Sequence, residues 1–276
     1  MIRRSPTHEL IRRLCASALC LGSGTLPTAA NLIINPIYVD DFGQSWDATR
    51  RAVVDQAISE WTSSLGAPGG QTYELDISFS FADTATRDSL GHWRGGSDGL
   101  FVGFDFLPWQ YSSHLIRFIS DLIDTGLDNY IWWDPTPDDT GLDQPFEAWD
   151  ALSIARHEIG HALGYTTLYS YYISLPSEIK PWESLITDVA GTPTFDAGGI
   201  NVEMASSSDY AHVANSGISQ DDLMNPAISN SQRRDISQIN ISMLSMAYGY
   251  EVIPEPSVGM LAMGSGLLLL RRRRSS

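Results

Sequence analysis

The most informative chemical pattern in the chain is His157-Glu158-Ile159-Gly160-His161. Two histidines at positions i and i+4 project from one face of a helix, so both imidazoles can bind one zinc ion. Glu158 is rotated by about 100° from His157 around such a helix. It is therefore free to take a proton from a water molecule that the metal activates. The alternative is a pair of core histidines beside a chance glutamate.

The motif lies within a segment that has the start and stop signals of a helix. Asp150 is of a type that caps helix N-termini, and Gly164 is of the type that follows helix C-termini. Between them, residues 151–163 have good helix propensity. The sequence therefore predicts that one helix over 151–163 positions both histidines and the glutamate.

A catalytic zinc ion needs a third protein ligand and one open position. Three more histidines lie between residues 31 and 253, namely His92, His114 and His212. Asp209 is a further candidate, because a carboxylate also binds zinc. The spacing of the first two histidines does not choose among these four residues.

The motif continues through Ala162 and Leu163 to Gly164, and in this form it resembles the metzincin metalloproteases. In that family, the glycine after the second histidine lets the chain turn back towards the metal. The family's usual third ligand lies three residues beyond the glycine, which is Thr167 here. Threonine is not a credible zinc ligand, so this chain departs from the common metzincin pattern at that position.

A second segment extends the resemblance. Met224 lies twelve residues after His212, within the sequence Asp-Leu-Met-Asn-Pro at 222–226. This segment resembles the Met-turn, in which a methionine lies beneath the metal. A delayed third histidine shortly before a Met-turn is similar to the leishmanolysin-type metzincins. The resemblance therefore implies His212 as the third ligand and Met224 as the Met-turn residue, with Asp209 as the second choice of ligand.

Several elements are expected around this site. The alternation of apolar and polar residues over 74–81 predicts a half-buried strand, and helical spacing after Asp47 predicts a long helix. The resemblance implies a mixed α/β (α+β) metzincin-like domain, with an N-terminal lobe at 31–164 and a smaller, irregular C-terminal lobe at 165–253. The remaining expectations are a first strand at 32–42, a loop-like stretch at 82–100, short strands at 101–107 and 130–133, a short helix at 115–123, a loop-rich segment at 165–234 and a last helix at 236–247.

Composition excludes several classes of protein. The chain has 276 residues, 43% apolar and 18% charged, which is typical of a folded domain. Its formal net charge is −16, and residues 31–253 alone have 9 Lys+Arg against 31 Asp+Glu. This acidic balance argues against a nucleic-acid-binding protein, and it disfavours acidic substrates through long-range repulsion.

The two ends of the chain predict export. Residues 1–30 have a basic stretch, a short apolar run at 14–21 and small residues before position 31, as in a signal peptide that signal peptidase removes. Both cysteines lie in this segment, so no disulfide and no thiolate ligand is expected after residue 30. Residues 254–276 contain Pro-Glu-Pro, an apolar run and four arginines, and they resemble the PEP-CTERM sorting signal of Gram-negative bacteria. The resemblance implies a transient membrane segment, processing by an exosortase and delivery to the cell surface or the extracellular space. The alternative is a short C-terminal membrane anchor.

These observations favour a secreted zinc metalloendopeptidase in which Glu158 is the general base. Tyr165 and Tyr210 are both candidates for stabilising the oxyanion, and the sequence selects neither. The peptide substrate is expected beside an edge strand, for which 101–107 is the candidate, and the specificity pocket is expected within 165–211. The alternatives are a non-catalytic surface or matrix protein that keeps the fold as a binding module, and a zinc hydrolase that acts on a non-peptide bond.

A calcium ion is a candidate second cofactor, in addition to zinc. The loop at 134–139 contains three aspartates, and Ca²⁺ takes oxygen ligands. The loop lacks a regular ligand spacing, which favours a solvated acidic turn.

Overall fold

A computed structural model describes nine stretches of the chain, and in these the protein is a mixed α/β structure. The segment 1–30, the segment 255–276, the strand expected at 101–107 and Thr167 lie outside the described residues. No described helix is long and apolar enough to cross a membrane. The described stretches are residues 31–82, 91–95, 114–119, 131–136, 144–145, 148–165, 182–206, 209–229 and 232–254.

The described elements are three α-helices, twelve short strands and three 3₁₀ turns. The helices are α1 (Ala48–Ser64), α2 (Ala151–Leu163) and α3 (Gln238–Tyr248), and the 3₁₀ turns are Pro68–Gly70, Trp182–Leu185 and Gly217–Ser219. The strands are β1 (Leu32–Tyr38), β2 (Leu65–Gly66), β3 (Tyr73–Ala82), β4 (Gly91–Gly95), β5 (His114–Ile119), β6 (Ile131–Trp132), β7 (Trp149–Asp150), β8 (Ile186–Val189), β9 (Thr192–Asp196), β10 (Asn201–Ser206), β11 (Asp209–Val213) and β12 (Glu251–Val252).

A four-stranded sheet in the order β1-β3-β5-β4 forms the first half of the fold. Strands β1, β3 and β5 are parallel, and β4 runs antiparallel to β5 at one edge of the sheet. The strand predicted from alternation is confirmed as part of β3, in which the apolar side chains are fully buried. These side chains are Leu75, Ile77, Phe79 and Phe81.

The first half of the chain also corrects two predictions. The short helix expected at 115–123 is wrong, because residues 114–119 form strand β5. Ile116 and Phe118 are fully buried while Leu115 and Arg117 are only partly so, which is the two-residue period of a strand. Pairing with β3 on one side and β4 on the other decides the structure of this apolar segment. The loop expected at 82–100 likewise contains strand β4.

Helix α1 has the boundaries and the buried face that the sequence predicts. Asp47 caps its N-terminus by accepting a hydrogen bond from the backbone N–H of Arg50 at 2.9 Å. Val53, Val54 and Trp61 are fully buried, together with Ala57, so one face of the helix packs into the core. The helix ends at Ser64, immediately before the short strand β2.

The loop-rich description of residues 165–234 is wrong for much of its length. An antiparallel sheet in the order β11-β10-β9-β8 occupies 186–213. Its strands are only four to six residues long, which gives little periodicity for a sequence reading to detect. The last helix is confirmed as α3, two residues later at its start than expected. Ser237 and Asn240 close its N-terminus as a capping box.

The end of helix α2 is docked against the end of α3. Gly164 has a φ of 131°, and a Cβ atom at this position would lie 2.2 Å from the Tyr248 ring. The Tyr248 hydroxyl donates a hydrogen bond to the Gly164 carbonyl at 2.8 Å, and the Tyr250 hydroxyl donates to the Leu163 carbonyl at 3.0 Å. Two aromatic side chains therefore satisfy the last carbonyls of α2, and only glycine leaves them room.

We predict that Gly164→Ala lowers the free energy of unfolding by about 2–5 kcal/mol, because it adds a steric clash to an unfavourable backbone conformation. Gly191→Ala is the matched control, since Gly191 has a φ of 87° and no atom within 4 Å of its added Cβ. The control should lose only about 1 kcal/mol. Urea denaturation of both variants measures the difference, and equal losses would contradict the close packing of Tyr248 on Gly164.

Candidate metal centre

Helix α2 carries the motif and begins as the sequence predicts. The buried carboxylate of Asp150 accepts hydrogen bonds from the backbone N–H of Ser153 at 2.9 Å and from its hydroxyl at 2.6 Å. Arg233 forms a two-point ion pair with the same carboxylate, at 2.8 and 3.1 Å. The charge of Asp150 is thus compensated inside the protein, and the start of the helix is fixed.

Every residue of α2 is buried, including the charged Arg156. The Arg156 guanidinium binds both carboxylate oxygens of Glu60 on α1, with Nη2 at 2.7 Å from Oε1, and it also pairs with Asp235 at 2.9 Å. The indole N–H of Trp61 donates a hydrogen bond to the Arg156 carbonyl at 2.9 Å. These contacts hold α2 against α1 at the residue immediately before His157.

Three histidines from two elements meet in one cluster. His157 and His161 project from α2 with their ring centroids 4.7 Å apart. His212 comes from β11, and its ring centroid lies 5.3 Å from that of His157 and 4.9 Å from that of His161. One ligand nitrogen from each ring lies within 4.8 Å of the other two. This cluster is the one group of three or more potential ligands found among the described residues.

An irregularity in β11 lies at the third histidine. Met204 pairs with Val213 and Ser206 pairs with Asp209, so a two-residue step on β10 faces a four-residue step on β11. Two extra residues are therefore accommodated in β11 between 209 and 213, which includes His212. Bulges of this kind re-aim side chains and are common beside active sites.

Backbone carbonyls orient the two helix histidines. The Nδ1 atom of His157 lies 2.8 Å from the Leu223 carbonyl oxygen, and the Nδ1 atom of His161 lies 2.6 Å from the Tyr165 carbonyl oxygen. A carbonyl oxygen only accepts, so each ring carries a proton on Nδ1, and in its neutral form each ring has its lone pair on Nε2. This is the arrangement in which metal-binding histidines usually occur.

The spacing of the two Nε2 atoms fits a shared metal ion. They lie 3.1 Å apart. Two nitrogens at about 2.1 Å from one ion are about 3.0–3.4 Å apart for angles between 90° and tetrahedral. Two lone pairs at this distance repel each other, and a cation between them makes the contact favourable. The donor set therefore fits a metal ion that prefers imidazole nitrogen, such as zinc.

Met224 lies against the helix between the two histidines. It is fully buried, and a Cβ atom at Gly160 would lie 2.8 Å from its sulfur atom. The Met224 carbonyl accepts a hydrogen bond from the backbone N–H of Val213, the residue after His212, at 2.9 Å. Met224 thus contacts α2 through its side chain and β11 through its backbone.

Glu158 lies on α2 one residue after His157, and it is 6% exposed.

The other ligand candidates lie elsewhere or are described only in part. His114 is fully buried in β5, opposite Ile77 of β3, and it is not a member of the histidine cluster. The backbone of His92 lies in β4 and that of Asp209 in β11.

The acidic loop is described only as far as Thr136. The Asp134 carboxylate accepts hydrogen bonds from the backbone N–H and the hydroxyl of Thr136, at 3.0 and 2.8 Å. Arg233 lies 3.7 Å from the other carboxylate oxygen of Asp134. Asp134 therefore has partners within its own turn, and residues 137–139 lie outside the described part of the chain.

The structure also distinguishes the two tyrosines considered for the oxyanion. Tyr165 is fully buried, and its hydroxyl donates to the Asn240 carbonyl at 3.1 Å. Burial and the negative charge of Asp222 raise the pKa of Tyr165 well above its usual value. Tyr165 is therefore engaged in holding α3, whereas Tyr210 is partly exposed on β11.

Comparison of the sequence with models of known protein families found no match, and a search of curated proteins also found none.

We predict that His212→Ala lowers zinc affinity at least tenfold, because it removes one of three converging nitrogens. Asp209→Ala should retain the metal if the three clustered histidines, His157, His161 and His212, are the protein ligands. Titration of zinc against a competing chelator measures both affinities. Full zinc retention in His212→Ala together with metal loss in Asp209→Ala would show that Asp209 is the third ligand.

Proposed function

We propose that the protein is a zinc-dependent metalloendopeptidase with a metzincin-like fold. The observation that carries this proposal is the convergence of His157, His161 and His212 within 4.8 Å, with Glu158 on the same helix as the first two. Two ligands on one helix and a third from a distant strand leave room for an open coordination position, which a structural site with four protein ligands does not have.

His157 and His161 would hold the zinc ion through their Nε2 atoms, and His212 would hold it through a ring nitrogen. When bound, zinc supplies Lewis-acid polarisation of the scissile carbonyl and lowers the pKa of water towards neutrality. The carbonyls of Leu223 and Tyr165 keep a proton of His157 and of His161 on Nδ1, so that in the neutral rings the lone pairs lie on the ligand nitrogens.

Glu158 is the general base in this proposal. Its carboxylate takes a proton from the attacking water as the new C–O bond forms at the scissile carbonyl carbon. It then returns that proton to the amide nitrogen as the C–N bond breaks, so that the immediate products are a carboxylic acid and an amine, and the acid then loses its remaining proton. Glu158 is 6% exposed and lies on α2 beside His157, which supports this role.

Strand β4 is the best candidate to bind an extended peptide. It lies at the edge of the first sheet within the described part of the chain and is antiparallel to β5. Helix α2 lies beside it. An extended substrate can add to such an edge through main-chain hydrogen bonds, in the manner of β-augmentation. The candidate strand at 101–107 lies outside the described residues, so β4 replaces it in this proposal.

The lobe organisation expected from the metzincin resemblance also belongs to this proposal. Residues 31–164 contain the mixed sheet with α1 and α2, and residues 165–253 contain the second sheet, the turn at Met224 and α3. Met224, packed on Gly160, would serve as the Met-turn residue.

We further propose export through the segment 1–30 and surface sorting through 254–276, with signal peptidase, an exosortase and a peptide or protein substrate as partners.

We predict that Glu158→Gln lowers hydrolysis of fluorescent casein by about 10²–10⁴-fold while the protein keeps its zinc, because the proton acceptor is lost and the ligands remain. Glu203→Gln is the control, since Glu203 is an exposed residue of β10 that bonds to Ser216. It should retain full activity.

Two results would contradict the proposed function. Equal activity of Glu158→Gln and the parent would remove the general base. A zinc-loaded parent that cleaves neither casein nor a broad peptide library would support a binding module or a zinc hydrolase of another bond.

A further inference from the structure

Asp222 lies immediately before the residue whose carbonyl orients His157, and it is not a member of the histidine cluster. We propose that Asp222 is a positioning residue of the metal centre, which fixes the Leu223–Met224 peptide group and thereby the His157 ring. This inference rests on the proposed metal site and not on the reaction catalysed there.

The Asp222 carboxylate is buried and has three hydrogen-bond donors. Its Oδ1 atom accepts from the backbone N–H of Met224 at 2.9 Å and from the side-chain amide of Asn240 at 2.7 Å. Its Oδ2 atom accepts from the Ser237 hydroxyl at 2.7 Å. Asp222 is 7% exposed, so these neutral donors replace most of its hydration.

One peptide group links this carboxylate to the histidine. The N–H of Met224 and the carbonyl of Leu223 belong to the same planar peptide unit and point in opposite directions. Asp222 holds the N–H end of that unit, and His157 Nδ1 lies 2.8 Å from the carbonyl end. If the N–H end lost its acceptor, the peptide plane could rotate and the carbonyl would no longer fix the orientation of the imidazole.

The same turn also holds the strand that carries the third histidine. Asn225 donates from its side-chain amide to the carbonyls of Val213 and Ala214, each at 3.2 Å. Arg234 donates to the Asp222 carbonyl at 2.8 Å and to the Asn225 side-chain oxygen at 3.1 Å. A buried guanidinium therefore joins the two ends of the turn that supports His157 and the end of β11.

The second histidine is connected through Asn240. The Asn240 side chain contacts both Asp222, at 2.7 Å, and the Tyr165 hydroxyl, at 3.4 Å. The Tyr165 hydroxyl donates to the Asn240 carbonyl, and the Tyr165 carbonyl is the partner of His161 Nδ1. Asp222 thus bonds directly to the peptide group that orients His157. It is connected to the Tyr165 carbonyl, which orients His161, through the side chains of Asn240 and Tyr165.

The test compares three variants of the purified protein by zinc titration against a chelator and by urea unfolding of the metal-free form. Asp222→Ala should weaken zinc binding by about 10–100-fold, the usual effect of losing a partner that orients a ligand. Asp222→Asn should stay within about threefold of the parent, because its amide oxygen can still accept from Met224 while its NH₂ donates to Ser237. Asp47→Ala is the matched control, since this remote aspartate also accepts from a backbone N–H and caps α1.

Two outcomes would overturn the positioning role. One is unchanged zinc affinity in Asp222→Ala. The other is a loss of zinc affinity that follows the loss of stability in both variants, so that the ratio of the two losses is the same in Asp47→Ala as in Asp222→Ala. If Asp222→Ala does not fold, Asp222→Glu carries the same comparison, because it keeps the charge and displaces the carboxylate by one methylene group.

A spectroscopic readout separates positioning from general stability. In the cobalt-substituted protein, the visible absorption bands report ligand geometry, and they should change in Asp222→Ala and remain unchanged in Asp47→Ala. A parent that binds zinc without hydrolysing peptides would remove the proposed activity and leave this inference standing. A parent that binds neither zinc nor cobalt would overturn both.

Discussion

The complete burial of helix α2 is the constraint on which the rest of the described structure depends. A helix that places Arg156, His157, Glu158 and His161 out of solvent carries a large desolvation cost, and each polar group needs a partner from a neighbouring element. Arg156 has Glu60 on α1, and the two histidines have the carbonyls of Leu223 and Tyr165. The packing of α2 therefore requires the later half of the chain to fold around it.

This requirement also explains why the groups near the histidines are so closely connected. The turn at 222–225 contacts α2 through Met224, β11 through Asn225 and α3 through Asp222. Each contact gives a buried polar group a hydrogen-bond partner or packs a buried apolar side chain. Together they leave the Nε2 atoms of His157 and His161 facing each other at 3.1 Å. The interactions that stabilise the core are thus the same interactions that orient the proposed metal ligands.

Local sequence patterns predicted α2 well, since Asp150, Gly164 and the spacing of His157 and His161 act within one helix. They failed for β5, because its structure comes from pairing with β3 and β4. The partners that fix α2 also escaped prediction, since Arg233 and Asp150 are 83 residues apart in the chain. One signal was available: Arg233 and Arg234 are two of only nine basic residues between 31 and 253, and both are committed to polar contacts with the core.

The most direct test of the proposed zinc site is zinc analysis combined with X-ray absorption at the zinc edge, on protein purified without added metal-binding tags. We predict about one zinc per chain, with imidazole nitrogen ligands at about 2.0–2.1 Å and a further light ligand completing the shell. A well-folded protein that takes up no zinc, or one whose zinc has fewer than three imidazole ligands, would contradict it.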